Sequence, residues 1–273
     1  MRDQIEIKPL FKTDIPHLLH LQPEDWNDIR FVFNQFIEYD FFYGVKAIFN
    51  EQIIGIGEIL FNKNTAWIGV IVVDKKYRNQ GIGSFITAHL SKLIASKNKT
   101  SQLLLATPLG QPVYHKLGFR HVSDYVFLKR RTGEKPLSFK ANHKNIINYD
   151  PVYFSQIAAL DQLAMGEDRS EILLHFTKDA KLFVDDQLEG FYLPNLGDGL
   201  IIANNNKAGF ELLKIKWATK NELLILPAEN LEIIEFAQSH GFEPFRYAAK
   251  MILGKAVDWN PQMIYHRVGG YLG

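Results

Sequence analysis

Arg78, Asn79, Gln80, Gly81, Ile82, Gly83 and Ser84 form a glycine-bearing turn between an apolar run and a stretch of helical spacing. The run, Val70-Ile71-Val72-Val73, reads as a buried β-branched strand and ends in the charged turn Asp74-Lys75-Lys76-Tyr77. Beyond the glycines, Ile82, Phe85, Ile86, His89, Leu90 and Leu93 fall on one helix face. A strand feeding such a turn at a helix start can bind phosphate. Glycine lets the backbone come close, and the unpaired amides and the helix dipole face the anion. The dinucleotide fingerprint needs a third glycine and the P-loop needs a lysine after Gly83; the chain supplies neither.

Several elements must position this turn and its surroundings. Leu103-Leu104-Leu105-Ala106-Thr107 reads as a strand, and Val113-Tyr114-His115-Lys116-Leu117-Gly118-Phe119 as a short helix that Gly118 stops. Glu58 lies on a predicted strand over residues 53–61, in alternation with Ile54, Ile56 and Leu60. A carboxylate on that apolar face is either buried for a purpose or solvated at the wet end of the sheet, beside a lysine. Asp74 sits in an exposed turn, and His115 reads as a surface residue. Residues 26–43 are rich in aromatic and acidic side chains. Ile29, Val32, Phe33, Phe36 and Ile37 fit one buried helix face. Trp26, Tyr39, Asp40 and Tyr43 remain as candidate pocket residues, a mixture that suits a cationic amine.

The run V-D-K-K-Y-R-N-Q-G-I-G-S resembles the acetyl-CoA loop of the GCN5-related N-acetyltransferases, and Tyr114 to Phe119 resembles that family's Y-x-x-x-G-F signature. The resemblance implies a mixed, mostly antiparallel twisted sheet flanked by helices, an α/β (α+β) fold of the acyl-CoA N-acyltransferase kind. It implies acetyl-CoA as co-substrate, held at Ile71, Val72 and Val73 along the strand and at Arg78 through Ser84 around the pyrophosphate. By resemblance the Val73 amide meets the thioester oxygen, and Tyr114 either protonates the departing thiolate or packs beside the pantetheine arm. Glu58 is then the expected base, directly or through water. The expected reaction moves an acetyl group to a primary amine of a small molecule, amino acid or peptide by direct attack in a ternary complex. The alternative is a non-catalytic acyl-CoA-binding or sensing module. Where many relatives carry a cofactor-touching Asn, this chain has Thr107 followed by Pro108.

The chain has 273 residues and a net charge of +1, which favours two domains and gives no general pull toward nucleic acid or anionic membrane. It has no cysteine, so disulfides, thiolate metal sites and a cysteine acyl-enzyme are excluded. Its nine histidines are scattered, and no metal is expected. The opening residues lack a signal-peptide apolar core and no run is long enough to span a membrane, so a cytoplasmic protein is expected, monomer or homodimer.

The second half repeats the grammar of the first. Leu200-Ile201-Ile202-Ala203 precedes Asn204-Asn205-Asn206 and an apolar helix; Leu223-Leu224-Ile225-Leu226 follows; Gly241-Phe242 answers Gly118-Phe119. Hairpins are predicted before both central strands, over 47–55 and 183–192. The second copy lacks the Arg-x-x-Gly-x-Gly turn and has Ala237 where the first has Tyr114. This predicts a catalytic domain over 1–135 and a degenerate, substrate-side or structural domain over 136–273, joined by the polar stretch 130–145. Glu167-Asp168-Arg169 reads as a charge cluster opening a helix. The closing segment Arg267-Val268-Gly269-Gly270-Tyr271-Leu272-Gly273 is partly apolar and expected to be flexible, and the resemblance makes its terminal carboxylate a further candidate base, as in some two-domain relatives.

Overall fold

The computed structural model describes residues 4–131, 144–218 and 223–273. The expected linker core and the 135/136 boundary lie outside the described residues. The chain forms two compact units. Unit 1 comprises the residues up to His121 together with Met251–Lys255 and Gly270–Leu272; unit 2 comprises Val122–Lys250, Ala256–Gly269 and Gly273.

Unit 1 opens with β1 (Glu6–Pro9), a 3₁₀ segment (Lys12–Leu21) and α1 (Arg30–Phe36). The hairpin β2 (Phe42–Phe49) and β3 (Gln52–Phe61) follows, turning at Asn50 and Glu51, both with positive φ as a two-residue hairpin requires. Then come β4 (Thr65–Val73), α2 (Ile82–Ser96), β5 (Ser101–Ala106) and α3 (Gln111–Lys116). The strands lie in the order β1-β2-β3-β4-β5, antiparallel except for the parallel β4–β5 step. Residues 251–255 extend the unit past β5: Ser101 Oγ donates to the Lys255 carbonyl (2.8 Å) and Arg120 to that of Gly254 (2.9 Å).

The expected stripe on α2 is rotated in the structure. Ile82, Ile86, Leu90 and Ile94 are buried and Phe85 and Leu93 only partly so, while His89 is exposed. An i, i+4 row of branched residues makes the seam against the sheet, and the histidine rides beside it. On α1, Val32, Phe33 and Phe36 are buried as the helical spacing predicts.

Unit 2 begins in β6 (Arg120–Arg130), whose residues from Val122 onward belong to it. It continues through β7 (Ile146–Asn148), α4 (Phe154–Met165), α5 (Ser170–Leu174), β8 (Lys181–Val184), β9 (Leu188–Leu193), β10 (Leu200–Ala203) and α6 (Asn206–Trp217). Next are β11 (Leu223–Pro227), α7 (Leu231–Ser239), β12 (Phe242–Gly254) and β13 (Ile264–His266). β10, α6, β11, α7 and β12 recur in the order of β4, α2, β5, α3 and β6, and β8–β9 is a hairpin like β2–β3. The β6 and β11 strands pair antiparallel, from Leu223 against Lys129 to Pro227 against Tyr125.

The acidic-basic run before α5 is divided in its duties. Asp168 caps Ser170, as expected of a helix start, but Arg169 is fully buried. Its Nε and Nη2 donate to the two Asp161 oxygens at 2.9 and 2.6 Å, a bidentate pair inside the unit.

Candidate active site

Glycine, strand register and one left-handed valine open β4. Gly55 and Ile56 of β3 face Val73 and Val72, but Glu58 faces Gly69, so β4 spends an extra residue opposite Gly57. This is a bulge, and Val70 sits in it at φ 49°, a conformation a β-branched residue adopts only under constraint. On the other side, only Thr65, Ala66 and Trp67 pair with Ser101, Gln102 and Leu103; no registered pair with β5 follows Trp67 among the described residues. β4 therefore leaves β5 where the bulge begins. The Asp74 amide donates to the Ile54 carbonyl (2.9 Å), making that pair the hydrogen-bonded one. Alternation then turns Val72 toward β3 and the amide of Val73 away from it, to the open side. Ile71 and Val73 are half-buried there, and Val72 is buried.

The turn after β4 is shaped by two left-handed residues, Asn79 (φ 62°) and Gly81 (φ 79°). Asp74 caps the short turn before it by accepting from the Lys76 amide (2.9 Å), so it is a structural residue. Arg78 is exposed, and its Nε donates to the Val73 carbonyl (3.0 Å), laying the side chain along the strand end. Gly81 is the N-cap of α2, and the first helical bond runs from the Phe85 amide to its carbonyl. The amides of Ile82, Gly83 and Ser84 thus have no partner within the helix. A Cβ at Gly81 would meet nothing within 4 Å, and one at Gly83 would make only ordinary contacts. The helix end is bare, with Arg78, Asn79 and Gln80 exposed beside it. An anionic diphosphate fits there.

Tyr114 is partly buried on α3, edge-on to Phe119 at 6.1 Å between ring centres. Burial pushes its hydroxyl up to about 12, so it stays protonated at neutral pH. Thr107, at the relatives' Asn position, is engaged in the turn before α3: its carbonyl accepts from Gly110 and Gln111 and its hydroxyl from Gly110. His115 is exposed.

Glu58 is fully buried, and neither carboxylate oxygen has a hydrogen-bond partner among the described residues. Burial alone raises its pKa well above the usual carboxylate value. Its direct neighbours across the ladder are Gly44 on β2 and Gly69 on β4, so no side chain flanks it there. The Gly44 hollow is closed by Phe33, whose ring a Cβ would meet at 3.1 Å. The Gly69 hollow holds the Glu58 carboxylate itself, with Tyr271 beside it. Tyr271 is buried and meets Phe36 edge-on at 5.8 Å, and Phe36 stacks on Phe42.

The aromatic candidates do not converge as a group. Tyr43 pairs with Ile59, so its side chain stands on the sheet face opposite Glu58, whereas Phe42, paired with Leu60, shares the Glu58 face. Tyr39 stacks on Phe41 at 4.8 Å and closes the turn before β2; Asp40 is exposed and Trp26 half-buried. Tyr271 thus takes the place beside the carboxylate expected of Tyr43, with Phe42 on the same sheet face and Phe36 against both. The helical spacing assigned Phe36 to the core, and Tyr271 lies too far along the chain for any local pattern to reveal.

In unit 2 the corresponding features are closed. Asn205 caps α6 through its side chain, accepting from the Ala208 amide at 3.0 Å. Asn206 bonds to Glu232 and accepts from the Tyr265 hydroxyl (2.6 Å), which puts a carboxylate at that helix end. The edge of β10 is occupied by β13, with Ile201 against His266 and Ile202 against Ile264.

Residues 39–121 match the sequence model of the acetyltransferase (GNAT) domain. The chain is 28% identical to the uncharacterized N-acetyltransferase YitH of Bacillus subtilis (strain 168), over 63% of each chain. Among solved structures, a proposed acetyltransferase of Pyrococcus horikoshii superposes with a TM-score of 0.82 at 20% identity, covering 99% of this chain and 96% of that one. A tandem GNAT protein from the clavulanic acid biosynthesis pathway gives 0.60 at 13% identity, covering 93% and 100%. Over residues 39–121 the chain is thus similar to the GNAT acetyltransferase domain, and as a whole it has an α/β fold of twisted, mostly antiparallel sheets flanked by helices, like these solved structures. No helix among the described residues is long and apolar enough to cross a membrane, and no group of three acidic or histidine residues there could hold a metal ion.

Proposed function

We propose that unit 1 is an N-acetyltransferase acting from acetyl-CoA on a primary amine. The observation that carries this reading is the open stretch of β4: strand, bulge and bare helix end form one continuous path, from Val70 to Ser84. An extended amide-bearing arm can add to the free edge at Val73 as a further strand would, and its diphosphate can meet the amides of Ile82, Gly83 and Ser84. The site residues are then Ile71, Val72 and Val73, with Arg78, Asn79, Gln80 and Gly81 around the turn.

Glu58 stands opposite Gly69, next to the bulge. As base it takes a proton from the substrate ammonium. The freed amine attacks the acetyl carbon, a C–N bond forms and the C–S bond breaks. The Val73 amide faces the oxygen that gains charge, and the Tyr114 hydroxyl protonates the departing sulfur to give the CoA thiol; the second proton lost by the nitrogen as the amide forms replaces the one Tyr114 has given, and Glu58 returns its own to solvent. With no cysteine to carry an acyl group, transfer is direct. Unit 2 takes a structural or substrate-side role, because its own helix end and strand edge are filled by Asn205, Glu232 and β13.

The test is initial-rate measurement of CoA release while acetyl-CoA and a primary amine are both varied. Intersecting double-reciprocal lines support direct transfer; parallel lines with a trapped acyl-enzyme contradict it. A non-catalytic acyl-CoA-binding protein is the second reading, favoured by the covering of Glu58, and turnover with any amine rules it out.

A further inference from the structure

We propose that Tyr271 forms the wall of the acceptor site beside Glu58 and that this corner limits the acceptor to primary amines bearing no carboxylate beside the amine. The inference rests on the acetyltransferase reading and adds to it the substrate class.

Three observations converge. First, Glu58 has two buried oxygens without hydrogen-bond partners among the described residues, an arrangement that a substrate ammonium would complete. Second, its neighbours across the ladder are Gly44 and Gly69, and the side chains that close those two hollows beside it, Phe33, Leu10 and Tyr271, carry no charge. A second carboxylate on the substrate would enter a dry site with no cation to meet it and one anion to oppose it. Third, the segment Gly270–Leu272 packs as part of unit 1, with Tyr271 and Leu272 buried. A Cβ built on Gly69 would lie 2.0 Å from Glu58 Oε1 and 2.5 Å from the Tyr271 Cβ. The carboxylate and the tyrosine therefore share one hollow. Phe36 and Phe42 continue the surface behind them. An ammonium entering this corner meets the Glu58 carboxylate beside the aromatic residue Tyr271, which suits an alkyl or arylalkyl monoamine.

The experiment compares kcat/KM for matched pairs, phenethylamine against phenylalanine and isoamylamine against leucine, in wild type, Tyr271→Ala and Tyr271→Phe. The binding of acetyl-CoA alone is followed by thermal shift. Wild type should prefer each amine over its amino acid by about 100-fold or more, the scale set by leaving a buried charge unmatched. Tyr271→Ala should move the preference toward bulkier amines by about tenfold, with acetyl-CoA binding unchanged, and Tyr271→Phe should restore the wild-type order. If Tyr271→Ala does not fold, Tyr271→Leu makes the same comparison. Amino acids used as well as amines, or a preference indifferent to Tyr271, would overturn the inference and leave acetyl transfer standing. Bound acetyl-CoA with no turnover of any amine would overturn both.

Discussion

Glu58 and Tyr271 meet over the same bare α-carbon, that of Gly69. One comes from β3 and the other from a segment more than two hundred residues later in the chain. Any side chain at residue 69 must displace one of them. Gly69→Ala should therefore destabilise the protein by about 1–3 kcal/mol, the usual cost of overpacking, and should lower acetyl transfer more than acetyl-CoA binding. Urea unfolding beside a thermal-shift titration checks both parts.

Glu58 gives a pH signature. Its folded pKa is raised, so the folded state holds the proton more tightly than the unfolded chain does. Its contribution to stability is complete below the unfolded carboxylate value, about 4.3, and is lost as pH climbs from there through the raised folded value. Glu58→Gln should flatten that part of the stability profile and be more stable than wild type above it. As the base must be ionised, wild-type kcat should rise over the same upper range. Glu58→Gln should lose about 10²–10⁴-fold in kcat.

Tyr114 should leave no mark on the alkaline limb. With its pKa near 12, the hydroxyl remains a donor throughout the working range, and kcat should not fall below about pH 11 on its account. Tyr114→Phe should lower kcat by about 10²-fold or more at unchanged KM for acetyl-CoA. An equal rise in that KM would assign the residue to packing.

The buried Asp161–Arg169 pair predicts an asymmetry in unit 2. Asp161→Ala removes the bidentate carboxylate from a buried guanidinium and should cost about 3–5 kcal/mol, whereas replacing both by Leu and Met should cost far less. Chemical denaturation of the single and double variants measures the difference.

Local patterns made much of the fold readable. The β-branched run before Arg78 and the glycines after it specify strand, turn and helix, and Gly118 marks the end of α3. The repeat was legible because both halves bury similar strand–helix alternations. Four features were not legible. The Val70 bulge depends on how β3 and β4 register, which alternation alone does not set. The face of Tyr43 follows from the same register. Burial of Arg169 requires Asp161 one helix earlier, where the local pattern showed only a charged helix start. Tyr271 is the extreme case, because its partners are distant in sequence and its neighbour at the sheet is a glycine with no side chain to signal the contact.

The central claim is that acetyl-CoA sits on the bare turn at Gly81 and Gly83. Thermal unfolding with and without acetyl-CoA, on wild type and on a Gly81→Glu, Gly83→Glu double variant, tests it most directly. Ligand at a hundred times its dissociation constant should stabilise wild type by about 2.7 kcal/mol, and the folded variant should show no shift. No shift in wild type at millimolar acetyl-CoA, or an equal shift in both proteins, would contradict the account.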